Sequence, residues 1–217
     1  ESLTMPETTS GTHRSITDDE RRYILMTCEH HRAGLWVLFM LCTGARPDET
    51  RKALWEDVDF SSATVTLHSS KTNYGDRRVP LSPTLERALR KAQRDSGFIF
   101  TQPTTGKPHT KTSMRQMWES FRRALAIEMG AQTYRGALVT NPVADDLTPY
   151  CLRHTYATDL QTAGVPINVA KDLLGHATIA MTSQIYTHLS DAAFASAAAQ
   201  IVQLDGARQS GKVTGIA

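Results

Sequence analysis

The spacing of apolar positions along this 217-residue chain predicts a mostly helical domain interrupted by one short hairpin. Thr17, Asp18, Asp19 and Glu20 form a capping-box start, with Thr17 and Glu20 placed to satisfy free backbone donors, and the helix they open runs to about His31. A second apolar stretch, from Gly34 to Cys42, is long enough for a buried helix. It stops at Thr43 and Gly44, where glycine permits a left-handed turn, and Arg46 falls in or just after that turn. Alternation in Thr64–Leu67 and again in Arg78–Leu81, across Asn73, Tyr74, Gly75 and Asp76, predicts a small antiparallel hairpin with Lys71 at its tip.

Ser82 and Pro83 open an amphipathic helix to about Arg94, Phe98–Phe100 reads as a short strand, and 113–129 as another helix. The polar stretch from Gly130 to Asp146 is too long for a simple connector and is expected to be an insertion or a functional loop. Three closely spaced helices follow. Thr148 caps the first, with Pro149 at its first helical position and an end near Gly164. Pro166 starts the second, which Gly175 stops, and the third begins near Thr178. The Ala-rich run 192–199, with Ile201, Val202 and Leu204 behind it, predicts a terminal helix followed by a flexible tail to residue 217. Residues 1–14, rich in Thr and Ser, read as a linker, so the expected organisation is linker, one compact domain over 15–191, and C-terminal helix and tail over 192–217.

Composition narrows the class without deciding it. At 40% hydrophobic and 21% charged residues, the chain can bury the core of one compact domain. It contains no run of about eighteen apolar residues and no basic-then-apolar leader, which leads to the expectation of a cytoplasmic protein with no membrane partner. Three cysteines, Cys28, Cys42 and Cys151, lack metal-type spacing and read as reduced structural thiols. The net charge of +2 says little, but its distribution says more: residues 69–123 hold 12 Lys and Arg against 4 Asp and Glu, a local excess of +8. A segment this basic suits a polyanion, because neutralising phosphates releases counterions.

The chemistry concentrates near the C-terminus, in Leu152, Arg153, His154 and Thr155, then Leu173, Leu174, Gly175 and His176, then Ile185, Tyr186, Thr187 and His188. These three blocks resemble the tyrosine site-specific recombinases, the integrases of phages and conjugative transposons. In that family the second active-site arginine sits in a helix reading Leu-Arg-His-Thr, a Leu-Gly-His turn follows, and the nucleophilic tyrosine comes about ten residues later. Upstream, Thr43, Gly44, Ala45 and Arg46, with Glu49 three residues on, resemble the family's first arginine box, and Lys71 matches its hairpin lysine. The resemblance covers about residues 15–195 and implies an α+β, mainly helical catalytic domain over 15–191 with a small antiparallel β-sheet, residues 1–14 being the linker from a preceding N-terminal DNA-binding domain.

Elementary phosphate chemistry points to the same side chains. Attack on a phosphodiester builds charge on two non-bridging oxygens, which planar guanidinium groups clamp through paired donors, a role that fits Arg46 and Arg153. The leaving 5′ oxygen needs a proton, which Lys71 can supply if neighbouring cations lower its pKa. His176 is placed to hydrogen-bond the phosphate, and Glu49, or Asp48 beside it, to orient a clamp. Tyr186 is the expected nucleophile, leaving a 3′-phosphotyrosine and a free 5′ hydroxyl with no cofactor and no metal.

The family usually carries histidine three residues before its second arginine, and this chain has Tyr150 there. Helical spacing puts residues 150 and 153 on one face, so Tyr150 can still donate a hydrogen bond to phosphate but cannot titrate near neutrality. His154 reads as structural, and His30, His31 and His188 show no ligand spacing. Gly206–Lys212 fits a phosphate-loop pattern without its Ser or Thr or its following helix, and is set aside. The resemblance further implies double-stranded DNA as substrate, four protomers on two DNA sites exchanging a C-terminal segment, expected to be residues 192–204, and help from an excisionase or a host DNA-bending protein. Two other readings stay open from the sequence: a type IB topoisomerase, and a catalytically impaired DNA-binding regulator of the same fold.

Overall fold

The computed structural model describes residues 13–68, 76–102 and 105–183, with residues 199 and 203 placed singly in helix. Helix α1 (Asp18–His30) starts at the expected capping box: the Thr17 side chain accepts from Glu20 N, and the Glu20 carboxylate accepts from Thr17 N at 2.8 Å. Helix α2 (Gly34–Thr43) is apolar on nearly all sides and is the central rod of the core, with Trp36, Val37, Phe39 and Met40 all buried. Its C-cap, Gly44, is left-handed at φ 63°, and a Cβ there would meet the Tyr156 ring at 2.4 Å. The turn therefore needs glycine on two counts, and it hands the chain to α3 (Pro47–Lys52), a short helix whose first residues follow Arg46.

The sheet is small. Strands β1 (Val58–Asp59), β2 (Thr64–Leu67) and β3 (Arg77–Pro80) pair antiparallel in that order, with Val58 opposite Val65 and Leu67 opposite Arg77. Alternation along β3 turns Arg77 and Val79 inward and Arg78 and Pro80 outward. Helix α4 (Pro83–Ala92) lays Leu85 and Leu89 on the core, and the long α5 (Lys111–Glu128) adds Trp118, Phe121 and Leu125, with Trp118 packed edge-on to Trp36.

Two expectations change here. Phe98–Phe100 is not a strand; Phe98 makes only an isolated bridge to Leu54, because no neighbouring segment runs alongside it long enough to pair. The 130–146 stretch contains a two-stranded hairpin, β4 (Thr133–Tyr134) and β5 (Ala137–Leu138). Its turn has positive φ at both Arg135 (47°) and Gly136 (80°), the backbone of a tight type I′ connection.

Helix α6 (Pro149–Thr162) packs along α2 and buries Cys151, Leu152, Arg153, Thr155 and Ala157. The start of the described chain is tied to it by the Ile16 N–H donating to Thr155 Oγ1 (2.9 Å) and by the paired Arg21–Asp159 bridge (2.7 Å). Helices α7 (Ile167–Leu174) and α8 (Ile179–Ser183) close the described domain, joined by a left-handed turn at Gly175. No described helix is long and apolar enough to cross a membrane. The predicted terminal helix and the segment 192–204 lie outside the described residues, apart from residue 199 and residue 203. Replacing Gly44 with Ala is expected to cost about 1 to 3 kcal/mol, from the strained left-handed backbone and the displaced Tyr156 ring, read as a fall in thermal midpoint.

Candidate active site

Arg46, more than a hundred positions upstream, converges with Arg153 and His176 on the end of α7. An α-helix leaves its last carbonyls without backbone donors and carries partial negative charge there. In this chain arginines take them up. Arg153 Nη2 donates to Leu174 O at 2.6 Å, and Arg46 Nη2 donates to Gly175 O at 3.1 Å. Arg153 also donates through Nη1 to Gly44 O, the carbonyl of the left-handed turn that precedes Arg46. Each guanidinium is thereby held against both the α2–α3 turn and the α7 end, which fixes the distance between the two.

Glu49 stands behind Arg46 and settles the choice between it and Asp48. Its carboxylate accepts from the Arg46 backbone N–H and from Arg46 Nη1, both at 2.8 Å, and it is 5% exposed. Asp48 is engaged with Arg51 instead (2.7 Å). Burial pushes the Glu49 carboxyl up, but the charge and hydrogen bonds of Arg77, with those of Arg46, outweigh it and hold the pKa at about 2. Burial, aided by the like charges of Arg46 and Arg77, presses the Arg153 pKa down to about 9, still well above neutrality, so the clamp stays cationic.

His176 sits just past Gly175, nearly buried, with Nδ1 2.8 Å from the Thr182 hydroxyl of α8. Burial first, and then Arg153, Arg46 and Arg77, push its pKa down to about 4. It is neutral at physiological pH, and with Nδ1 engaged by Thr182, Nε2 is the nitrogen left for a ligand. Tyr150 lies one turn before Arg153 but stands 44% exposed, its ring stacked at 5.0 Å on His13. His154 is half-buried, its pKa lowered by burial and by His13. Lys71 and Tyr186 lie outside the described residues.

Sequence reasoning missed Arg77. Its side chain is buried, with Nη2 on Glu49 Oε2 (2.7 Å), Nη1 on Glu49 Oε1 (3.2 Å) and Nε on Leu173 O (2.8 Å). Leu173, Leu174 and Gly175 thus offer three successive carbonyls to three different arginines. Alternation in the strand leaves one arginine of the Arg77–Arg78 pair inward, but which one is fixed only by the strand's register in the sheet. Among the described residues no group of His, Cys, Asp or Glu is arranged to hold a metal ion.

The model of the phage integrase family matches residues 14–193, most of the chain. The chain belongs to that family. The integrase domain is 29% identical over 194 residues to the tyrosine recombinase XerA of Pyrococcus horikoshii, covering 88% of this chain and 62% of that protein. It thus spans about three fifths of the length of that curated relative. Among solved structures it is similar to the catalytic domain of the bacteriophage HP1 integrase (25% identity, TM-score 0.59, 86% of this chain and 94% of that one). Its fold is also that of the Tn1549 transposon integrase in complex with transposon right end DNA (20% identity, TM-score 0.67, 92% and 68% of the two chains).

Linkage gives the acid behaviour. Glu49 keeps its proton off in the folded integrase domain down to pH about 2, whereas an ordinary glutamate takes one up near 4.5, so its contribution to stability is complete above 4.5 and fades as pH falls toward 2. Glu49→Gln should therefore destabilise the domain at pH 7, by an amount on the order of 3 kcal/mol, and the gap to the parent should narrow steadily below pH about 4.5 in acid-unfolding titrations.

Proposed function

We propose that this chain is the catalytic part of a site-specific DNA recombinase that cuts and rejoins strands through a 3′-phosphotyrosine at Tyr186, in the integration or excision of a mobile element. The observation that carries the reading is the convergence of Arg46 and Arg153 on adjacent carbonyls of one helix end, a few ångströms from each other's partners and beside a neutral His176. Two guanidinium groups pinned from behind keep their remaining N–H donors for the non-bridging oxygens of one phosphate, where charge grows as the phosphorus becomes five-coordinate. His176 adds a neutral N–H to the same phosphate. The Tyr186 oxygen attacks, the bond to the 5′ oxygen breaks, and Lys71 gives that oxygen its proton. The phosphodiester's energy is kept in the new ester, so the reverse attack by a 5′ hydroxyl reseals a strand without ATP.

Tyr150 supplies a hydrogen bond at the position where the family's histidine sits, in place of that residue's acid–base function. The substrate is duplex DNA in the cytoplasm. The whole recombinase acts as four protomers on two sites, with an N-terminal domain completing the grip, residues 192–204 passed between neighbours, and an excisionase or DNA-bending protein setting direction. The relatives, tyrosine recombinases of archaea and bacteria and integrases of a phage and a transposon, support this assignment.

The deciding experiment is adduct trapping on nicked suicide duplexes. The parent chain should form a covalent protein–DNA species that Tyr186→Phe does not, and Arg153→Ala should slow its formation about 100- to 1,000-fold. Absence of any adduct from the parent would favour the DNA-binding regulator, and plasmid relaxation without two-site recombination the topoisomerase. Tyr150→Phe should cleave more slowly than the parent, because it removes the phenol's hydrogen bond to the phosphate. Equal rates would remove Tyr150 from the site.

A further inference from the structure

Every nitrogen of the Arg77 guanidinium is engaged inside the protein. Nε meets Leu173 O, and Nη1 and Nη2 take one oxygen each of Glu49, leaving the side chain 7% exposed. Glu49 Oε1 is shared, since it also accepts from Arg46 Nη1. A continuous chain of charge-assisted bonds therefore runs from β3 through Glu49 to Arg46, while Leu173 lies one residue from the Leu174 carbonyl that holds Arg153. Opposite Arg77 the chain turns through Gly175, where a Cβ would come within 2.8 Å of Nη1. The turn has room for this guanidinium only because residue 175 is glycine.

Charge points the same way. A lone Glu49 facing Arg46 would cancel it, lowering the field that the site offers to a phosphate. With Arg77 on the same carboxylate, the buried Arg77 and the partly exposed Arg46 share one anion with the buried Arg153 close by, and the excess positive charge is retained where Arg46 and Arg153 stand. Both Glu49 oxygens are occupied, so the carboxylate cannot swing and take Arg46 with it.

We propose that Arg77 is a positioning residue of the strand-cleavage site, one that sets Arg46 and Arg153 on the scissile phosphate by locking Glu49 and the end of α7, without touching DNA. This rests on the reading that those two arginines clamp the phosphate. A lysine at 77 keeps the charge but lacks the planar fork needed to meet a carboxylate and a carbonyl from different directions.

The test uses the intact chain in single-turnover cleavage of nicked suicide duplexes, with either a normal scissile phosphate or a neutral methylphosphonate in its place. Arg77→Lys should lower the cleavage rate about 100-fold on the phosphate, with the dissociation constant for the same DNA changed by no more than about threefold. On the methylphosphonate, which lacks one of the charges to be clamped, that penalty should shrink at least about tenfold. Arg46→Ala combined with Arg77→Lys should be slower than Arg46→Ala alone by no more than about tenfold, well short of the additive loss, because only the hold on Arg153 is then left to lose. Equal losses on both substrates, or additive losses with Arg46→Ala, would show that Arg77 only holds the fold and would overturn the proposal. Should Arg77→Lys not fold, Glu49→Asp, which retracts the same carboxylate, must show the same substrate-dependent loss, and an equal loss on both DNAs overturns the proposal as well. A parent chain that forms no adduct on either DNA overturns the phosphotyrosine reading itself, a result distinguishable from the others because it precedes any variant.

Discussion

Helix α7 ends on three carbonyl oxygens, and each is held by a different guanidinium: Arg77 on Leu173, Arg153 on Leu174, Arg46 on Gly175. Cations so close would repel one another and resist burial, and the cost of holding them is met by the helix-end partial charge, the Gly44 carbonyl and the one carboxylate of Glu49. The rest of the described structure can be read as what brings those groups there. Gly44 turns the chain so that Arg46 faces back, α6 packs along α2 with Arg153 inward, and β3 delivers Arg77 from the sheet. Site and scaffold are the same interactions, so the arginines tie α3, α6, α7 and β3 together within the folded chain itself.

Much of this was legible in the chain itself. The capping box at Thr17, the glycine stops at 44 and 175 and the Pro149 start each express a local backbone need, and such needs act within a few residues. That Arg46, Arg153 and His176 belong together was expected from the resemblance of their three motifs to one family, not from the local pattern of the chain. What could not be read was anything decided across the fold: that Phe98–Phe100 finds no partner strand, that 133–138 folds back on itself through an arginine with positive φ, and that Arg77 turns inward while its neighbour Arg78 turns out to Ser62 and Thr64. Counted by composition, Arg77 was one more cation in a basic segment. Its difference lies in strand register, which the sheet pairing fixes.

The histidine of the cluster illustrates how the surroundings choose a chemistry. Placed among three arginines and out of water, His176 cannot hold a second proton near neutrality, so it enters the site as a dipole and not as a charge. Its tether to Thr182 ties that dipole to α8, the last described helix before the Tyr186 block. Glu49 is the opposite case: burial alone would neutralise it, and its two arginines keep it ionised.

All three tryptophans of the chain, Trp36, Trp55 and Trp118, are at most 6% exposed and lie in the core beneath α2, α5 and the α3–β1 connection. The optical properties of this protein are thus those of its interior. Ultraviolet emission will therefore follow melting of the helical packing faithfully.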